Sequence, residues 1–174
     1  MNRGETLARE PSLQLILYSF LVAVAFNLLP WPPHLPLPDA VAALLVFWAA
    51  QAPRKMGLGL AWVLGLVMDA HSGVLLGEHA LIYSLLTYGA VSLHRRLMGF
   101  GVAGQSMHII GLFMVCLLAG ALIRWLAEGT PLTGWLVVQS IANTLGWLIA
   151  HRVLLIILKR RPGRRPVKAP KTSL

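Results

Sequence analysis

Apolar residues run along this chain in long blocks that favour no single face, and each block ends at a proline, a glycine or a pair of charges. The stretches LQLILYSFLVAVAFNLL (13–29) and VLLIIL (153–158) are apolar on every face. Such runs suit helices surrounded by apolar material, whereas the strands of a membrane barrel alternate apolar and polar residues. The pattern predicts an all-α polytopic membrane bundle of six transmembrane helices, over residues 12–30, 38–52, 57–75, 79–97, 104–126 and 134–158. Span two is the shortest. Its apolar stretch from Ala40 to Ala52 falls below the ~20 residues a crossing needs, so it either recruits Leu35 to Asp39 or lies shielded inside the bundle. Asp39 is placed to cap it and Pro53 to stop it. Arg152 interrupts the last apolar run and must snorkel to the surface.

One stretch has a second pattern. Between Gly57 and Gly77 a small residue or an acid recurs at every fourth position: Gly57, Ala61, Gly65, Asp69, Gly73, Gly77. Positions four apart drift only about 40° around a helix, so at least Ala61, Gly65 and Asp69 share a stripe bare of large side chains, against which another helix can lie closely. An aspartate at the centre of a bilayer-spanning helix costs about 2.5 to 3.5 kcal/mol. Asp69 lies toward the outer end of span three, where the cost is lower, and it must face protein or water. Its structural reading is a hydrogen bond to a neighbouring helix or loop amide; the alternatives are a substrate or lipid contact, or proton transfer. Gly73 and Gly77 fall where the helix ends and the chain turns back, and Glu78 and His79 open span four, with the acid at the favourable helix N-terminus.

Composition agrees with this class. The chain is 57% hydrophobic and 12% charged, with mean hydropathy +0.70, against about 25% charged residues in soluble domains. Of its 15 lysines and arginines, all but Arg124 fall before span one, between spans two and three (Arg54, Lys55), between spans four and five (Arg95, Arg96), or from Arg152 to the C-terminus. Six spans put those bases on one side, which the positive-inside rule makes cytoplasmic. Both termini are then inside, and Trp31, Trp125 and Trp135 fall at the outer interface. Glu5 and Glu10 beside the N-terminal arginines argue against a cleaved leader, so span one is expected to be retained.

The connections are too short to fold separately, which leaves one transmembrane domain (1–158) and a basic, proline-rich cytoplasmic tail (159–174). The outer loop LPWPPHLPLP holds five prolines in ten residues and should be extended and stiff. In the tail, Lys159, Arg160 and Arg161 begin a run suited to anionic lipid or an acidic partner. It has no aromatic residues for base stacking, so nucleic acid is not an expected partner. Cys116 is mid-span and is read as a small packing residue.

Within the spans, Gln139, Ser140, Asn143 and Thr144 form an inward polar face on span six, which Asn27 can join. Interhelical hydrogen bonds of this kind average about 0.6 kcal/mol. Asn27, Asp69, Gln139 and Asn143 would line an outward-facing cavity if the chain bound a substrate. His34, Asp39, Asp69, His71, Glu78, His79 and Glu128 also lie outward, but without metal-ligand spacing on one helix face. No nucleophile elbow or phosphate loop is present in the sequence, and neither a cofactor nor catalysis is expected.

Pro38-Asp39 opening the second helix, followed by GLVMDAHSGVLLGEHALIYSLLTY (65–88) with its pattern G-L-x-x-D-x-x-x-G-x-x-x-G-x-x-A-L, resembles the rod-shape-determining MreD family of bacteria. Size, span order and topology match over roughly residues 15–158, and the basic tail falls outside the match. The resemblance implies a non-catalytic inner-membrane subunit of the cell-elongation machinery. Its partners would be MreC and, through it, MreB, the glycosyltransferase RodA and a class B penicillin-binding transpeptidase. The family in turn resembles the six-helix substrate-binding components of energy-coupling-factor transporters. Residue by residue, the resemblance transfers Pro38, Asp39, Gly65, Asp69, Gly73 and Gly77 as a structural motif fixing spans two to four. Two functions follow: a scaffold with a lateral helix-binding surface, and, as the alternative, a transporter subunit with a polar outward cavity.

Overall fold

Ten consecutive residues, Val41 to Ala50, are buried on every side, and the architecture is organised around them. They belong to α2 (Ala40–Gln51), a helix of 12 residues, and the computed structural model surrounds it with α1 (Leu13–Asn27), α4 (Glu78–Gly99) and α6 (Trp135–Arg160). Of the two alternatives for the second apolar segment, the shielded one is found: the helix starts only at Ala40 and is covered by its neighbours. The remaining helices are α3 (Leu58–Ser72), which packs on α4, and α5 (Val102–Glu128), which lies between α4 and α6. The structure describes residues 11–32, 35–73, 75–131 and 133–160. The N-terminal bases, His34, the side chains of Lys159 and Arg160, and the tail from Arg161 onward lie outside the described residues. Those described are all-helical, without strands.

Local chemistry sets the helix ends. Ser12 caps α1 by accepting from the Leu15 amide at 3.4 Å, and Pro30 and Pro32 follow its last turn. Ala52, whose backbone must suit Pro53, ends α2 by leaving helical geometry (φ −138°, ψ 60°). Gly73 (φ 63°) and Gly77 (φ 100°) take left-handed backbone that no side-chain-bearing residue adopts cheaply, and they bracket the tight return from α3 into α4.

Successive helices run antiparallel. At one end, Lys55 donates to the Pro11 carbonyl at 2.8 Å and His94 bonds the Ala50 carbonyl, joining the start of α1, the end of α2 and α4. The exposed side chains of Arg54, Arg95, Arg96 and Arg152 lie toward this end. At the other end, α1, α3 and α5 finish where α2, α4 and α6 begin. The interior holds Trp48, Trp147, Tyr83, Phe47 and Phe113, while Leu17, Leu21, Val22, Val115, Leu118, Leu126, Ile149 and Ile156 point outward. An apolar exterior this extensive fits an apolar solvent. By length and composition α5 and α6 can each cross a membrane, and α1, α2 and α3 are shorter apolar helices of 15, 12 and 15 residues.

Candidate functional site

Two aspartates organise the end of the bundle opposite those bases. Asp39 is the N-cap of α2, its Oδ1 accepting from the Ala42 amide at 3.0 Å. The same oxygen accepts from Asn27 Nδ2 at 2.7 Å, while Asn27 Oδ1 accepts from the Ala40 amide at 3.1 Å, so α1 ends by clasping the start of α2. Oδ2 accepts from the Tyr83 hydroxyl of α4 at 2.7 Å. The Asp39 amide donates to Asn143 Oδ1 at 2.8 Å, and Gln139 Nε2 donates to the Leu37 carbonyl at 2.9 Å and to Asn143 Oδ1 at 3.2 Å. Four helices thus meet on one residue. Pro38 leads into this cap and packs against Gly146 of α6, where a Cβ would fall 2.5 Å from the Pro38 ring.

Asp69 does the corresponding work for α4. The N-cap of that helix is Gly77, which has no side chain to satisfy the free amides of the first turn. Asp69 reaches across from α3 instead: Oδ2 accepts from the Gly77 and Ala80 amides at 2.9 and 3.3 Å, and Oδ1 accepts from the His79 amide at 2.7 Å. The His79 ring meets Oδ1 at 2.9 Å, with Nδ1 as the donor to the carboxylate. A carboxylate at a helix N-terminus also gains from the helix dipole. The approach that permits this is made at Gly65, one turn earlier, where a Cβ would collide with the Cα and N of Ala80. Ala61 and Asp69 are buried above and below it at 0% and 2% exposure, whereas Gly57 and Gly73, at the ends of the same four-residue pattern, are exposed.

Between these hubs lies a cleft of about 570 Å³, lined among others by Asn27, Asp39, His79, Tyr83, Gln139 and Asn143. Asp69, placed in the lining only under the substrate-binding alternative, does not line it: its oxygens are turned to the α3–α4 return and taken up by backbone amides and the His79 ring. Trp31 and Trp135 also line the cleft. Among the described residues no cluster of three metal-ligating side chains occurs.

The cleft also holds a pair that the sequence reading did not bring together. Arg124 Nε of α5 donates to Glu78 Oε1 at 3.0 Å, with the Glu78 side chain 4% exposed and that of Arg124 42% exposed. The signal was present in the isolation of Arg124, the one base remote from all the others, which calls for an acid partner at the same end of the bundle. Tyr83 was likewise missed, because a tyrosine in an apolar run carries no mark of its hydroxyl's partner. Small residues of α5 have a partner within the chain, since a Cβ on Gly120 would meet Ile82 of α4.

Removal of the Asp39 carboxylate would leave the buried Tyr83 hydroxyl without its acceptor and α2 without its cap. Asp39→Ala is expected to cost about 2–4 kcal/mol, a cap of about 1 plus an unmet buried hydroxyl of about 1–3. Asp39→Asn, an equally good cap, should cost less than half of that. Chemical unfolding of the purified variants in detergent reads both.

No solved structure matches the chain. A curated relative, the rod shape-determining protein MreD of Haemophilus influenzae, is 35% identical over 75 residues, which are 42% of this chain and 46% of the relative, so the match spans about half the relative's length. The family model for rod shape-determining protein MreD matches residues 11–158, nearly the whole helical region. With that coverage, this chain belongs to the MreD family of membrane proteins that determine rod shape.

Proposed function

We propose that this protein is a non-catalytic scaffold of the bacterial cell-elongation machinery. It crosses the inner membrane six times with both termini in the cytoplasm, in a bundle resembling the substrate-binding components of energy-coupling-factor transporters. It binds MreC and thereby helps couple MreB filaments to RodA and a class B penicillin-binding transpeptidase during peptidoglycan synthesis. The observation that carries the reading is the use of the two outer aspartates: Asp39 and Asp69 commit their oxygens to the chain's own helix ends and neighbouring side chains. That serves rigidity, which a presenting surface needs. The motif Pro38, Asp39, Ala61, Gly65, Asp69, Gly73 and Gly77 then fixes α2 to α4, and Asn27, Gln139 and Asn143 lock α1 and α6 onto them. The topology rests on the basic residues, of which Arg54, Lys55, Arg95 and Arg96 face cytoplasmic lipid or filament, and Lys159, Arg160 and Arg161 open a tail that lies on anionic lipid.

A second reading, a substrate-binding subunit of a small-molecule transporter, draws on the cleft of about 570 Å³. Affinity isolation of the tagged protein from its native membrane in gentle detergent separates the two. The scaffold is expected to bring down a single-span coiled-coil protein with cell-wall synthases. Recovery of an ATPase pair with a membrane coupling subunit would replace it with the transporter reading.

A further inference from the structure

Glu78 is 5% exposed, and its two carboxylate oxygens are treated unequally. Oε1 accepts from Arg124, while Oε2 is buried and has no hydrogen-bond partner among the described residues. The side chain lines the cleft, and its buried Oε2 is an unmet acceptor, for which a missing donor costs more than a made bond gains. The donor that best suits a buried carboxylate is itself charged. The rest of the cleft favours the same sign: Asp39 and Glu78 line it against one arginine, Arg124.

Arg124 makes the opposite demand. Its Nε is committed to Glu78, but most of its N–H donors have no partner among the described residues, and the half-exposed guanidinium borders both the cleft and an adjoining cavity of about 330 Å³ with Thr130, Thr133 and Glu128 in its wall. A guanidinium at a rim is suited to a phosphate. The flanks are apolar: Phe26, Trp31, Leu117 and Trp135 line the cleft, and Leu118 and Leu122 lie exposed on α5.

We propose that this cleft binds a zwitterion carrying a primary ammonium and a phosphate, the ammonium donating to Glu78 Oε2 and the phosphate meeting Arg124. A quaternary ammonium has no N–H to give, and a simple anion leaves Oε2 unmet. The membrane supplies this chemistry as the headgroup of an ethanolamine phospholipid, and the aqueous phase supplies it as free phosphoethanolamine.

The test is native mass spectrometry of the full chain, released from nanodiscs holding equal parts of phosphatidylethanolamine, phosphatidylcholine and phosphatidylglycerol with identical acyl chains. The wild-type protein is expected to retain phosphatidylethanolamine over phosphatidylcholine by on the order of tenfold, the size of one charge-assisted hydrogen bond. Glu78→Gln should bring that ratio near unity. Displacement by millimolar phosphoethanolamine would identify a soluble source; a bound lipid indifferent to it would identify the membrane. Equal retention of the three lipids overturns the proposal, as does a preference for phosphatidylglycerol, which would reduce the site to an anion contact at Arg124. An ethanolamine preference that survives Glu78→Gln overturns the role of Oε2. The wild-type ratio decides by itself if that variant does not fold.

Discussion

Asp69→Leu is expected to abolish accumulation of the folded protein in the membrane. Leucine nearly matches the aspartate in length and suits an apolar helix, so propensity and insertion both favour the change. What is lost is the acceptor for the Gly77, His79 and Ala80 amides and for the His79 ring. Each buried donor left unmet costs about 1–3 kcal/mol, and three of them approach the about 5–15 kcal/mol by which a whole domain is stable. Asp69→Asn, which keeps one acceptor oxygen and turns an NH₂ toward the remaining amides, should fall between. Fluorescence-detected size exclusion of fusion-tagged variants reads the outcome. A monodisperse Asp69→Leu protein with an unchanged melting midpoint would remove Asp69 from the architecture.

Gly65→Ala has the second largest expected effect, although it adds a single carbon. The new Cβ would be driven into the Ala80 backbone, and a backbone opposite, unlike a flexible side chain, has nowhere to turn. Overpacking costs about 1–3 kcal/mol in ordinary cores, and the rigid contact here places the change at the upper end. Moving α4 away also lengthens the Ala80-to-Asp69 bond, already 3.3 Å, so the two substitutions should be strongly non-additive. A double-mutant cycle of Gly65→Ala with Asp69→Asn measures that coupling by unfolding in detergent. Gly111→Ala is the control: no neighbour lies within 4 Å of its Cβ position, and replacing a mid-helix glycine should raise stability by up to about 1 kcal/mol. Equal effects at the two glycines would mean that helix propensity, and not the close approach of α3 to α4, governs Gly65.

Much of this arrangement was legible because it is local. Asp39 caps α2 three residues from the amide it accepts, Gly73 and Gly77 mark the α3–α4 return by composition, and Asp69 lies in one stripe with Ala61 and Gly65. The site was less legible. Asn27, Asp69, Gln139 and Asn143 are all polar residues in apolar surroundings, yet only Asp69 turns away from the cleft, because Gly77 leaves α4 without a cap of its own. Nothing in the order of residues distinguishes an aspartate that caps a neighbouring helix from one that faces a cavity.

The sequence by itself determined the helical class, the order and approximate limits of the helices, their caps and breakers, and the clustering of basic residues, since these depend on contacts within a few residues or on composition. Only the tertiary structure decided that α2 is the enclosed centre, that Asp39 ties Asn27, Tyr83 and Asn143 together, and that Glu78 pairs with Arg124 and keeps one oxygen unmet. The physical reason is that a helix apolar on every face gives no periodic signal of which side meets protein and which meets lipid. Its rotation is set by a few hydrogen bonds between residues far apart in the chain, such as Asp39 with Asn143, and by the depth to which one glycine lets a neighbouring backbone approach.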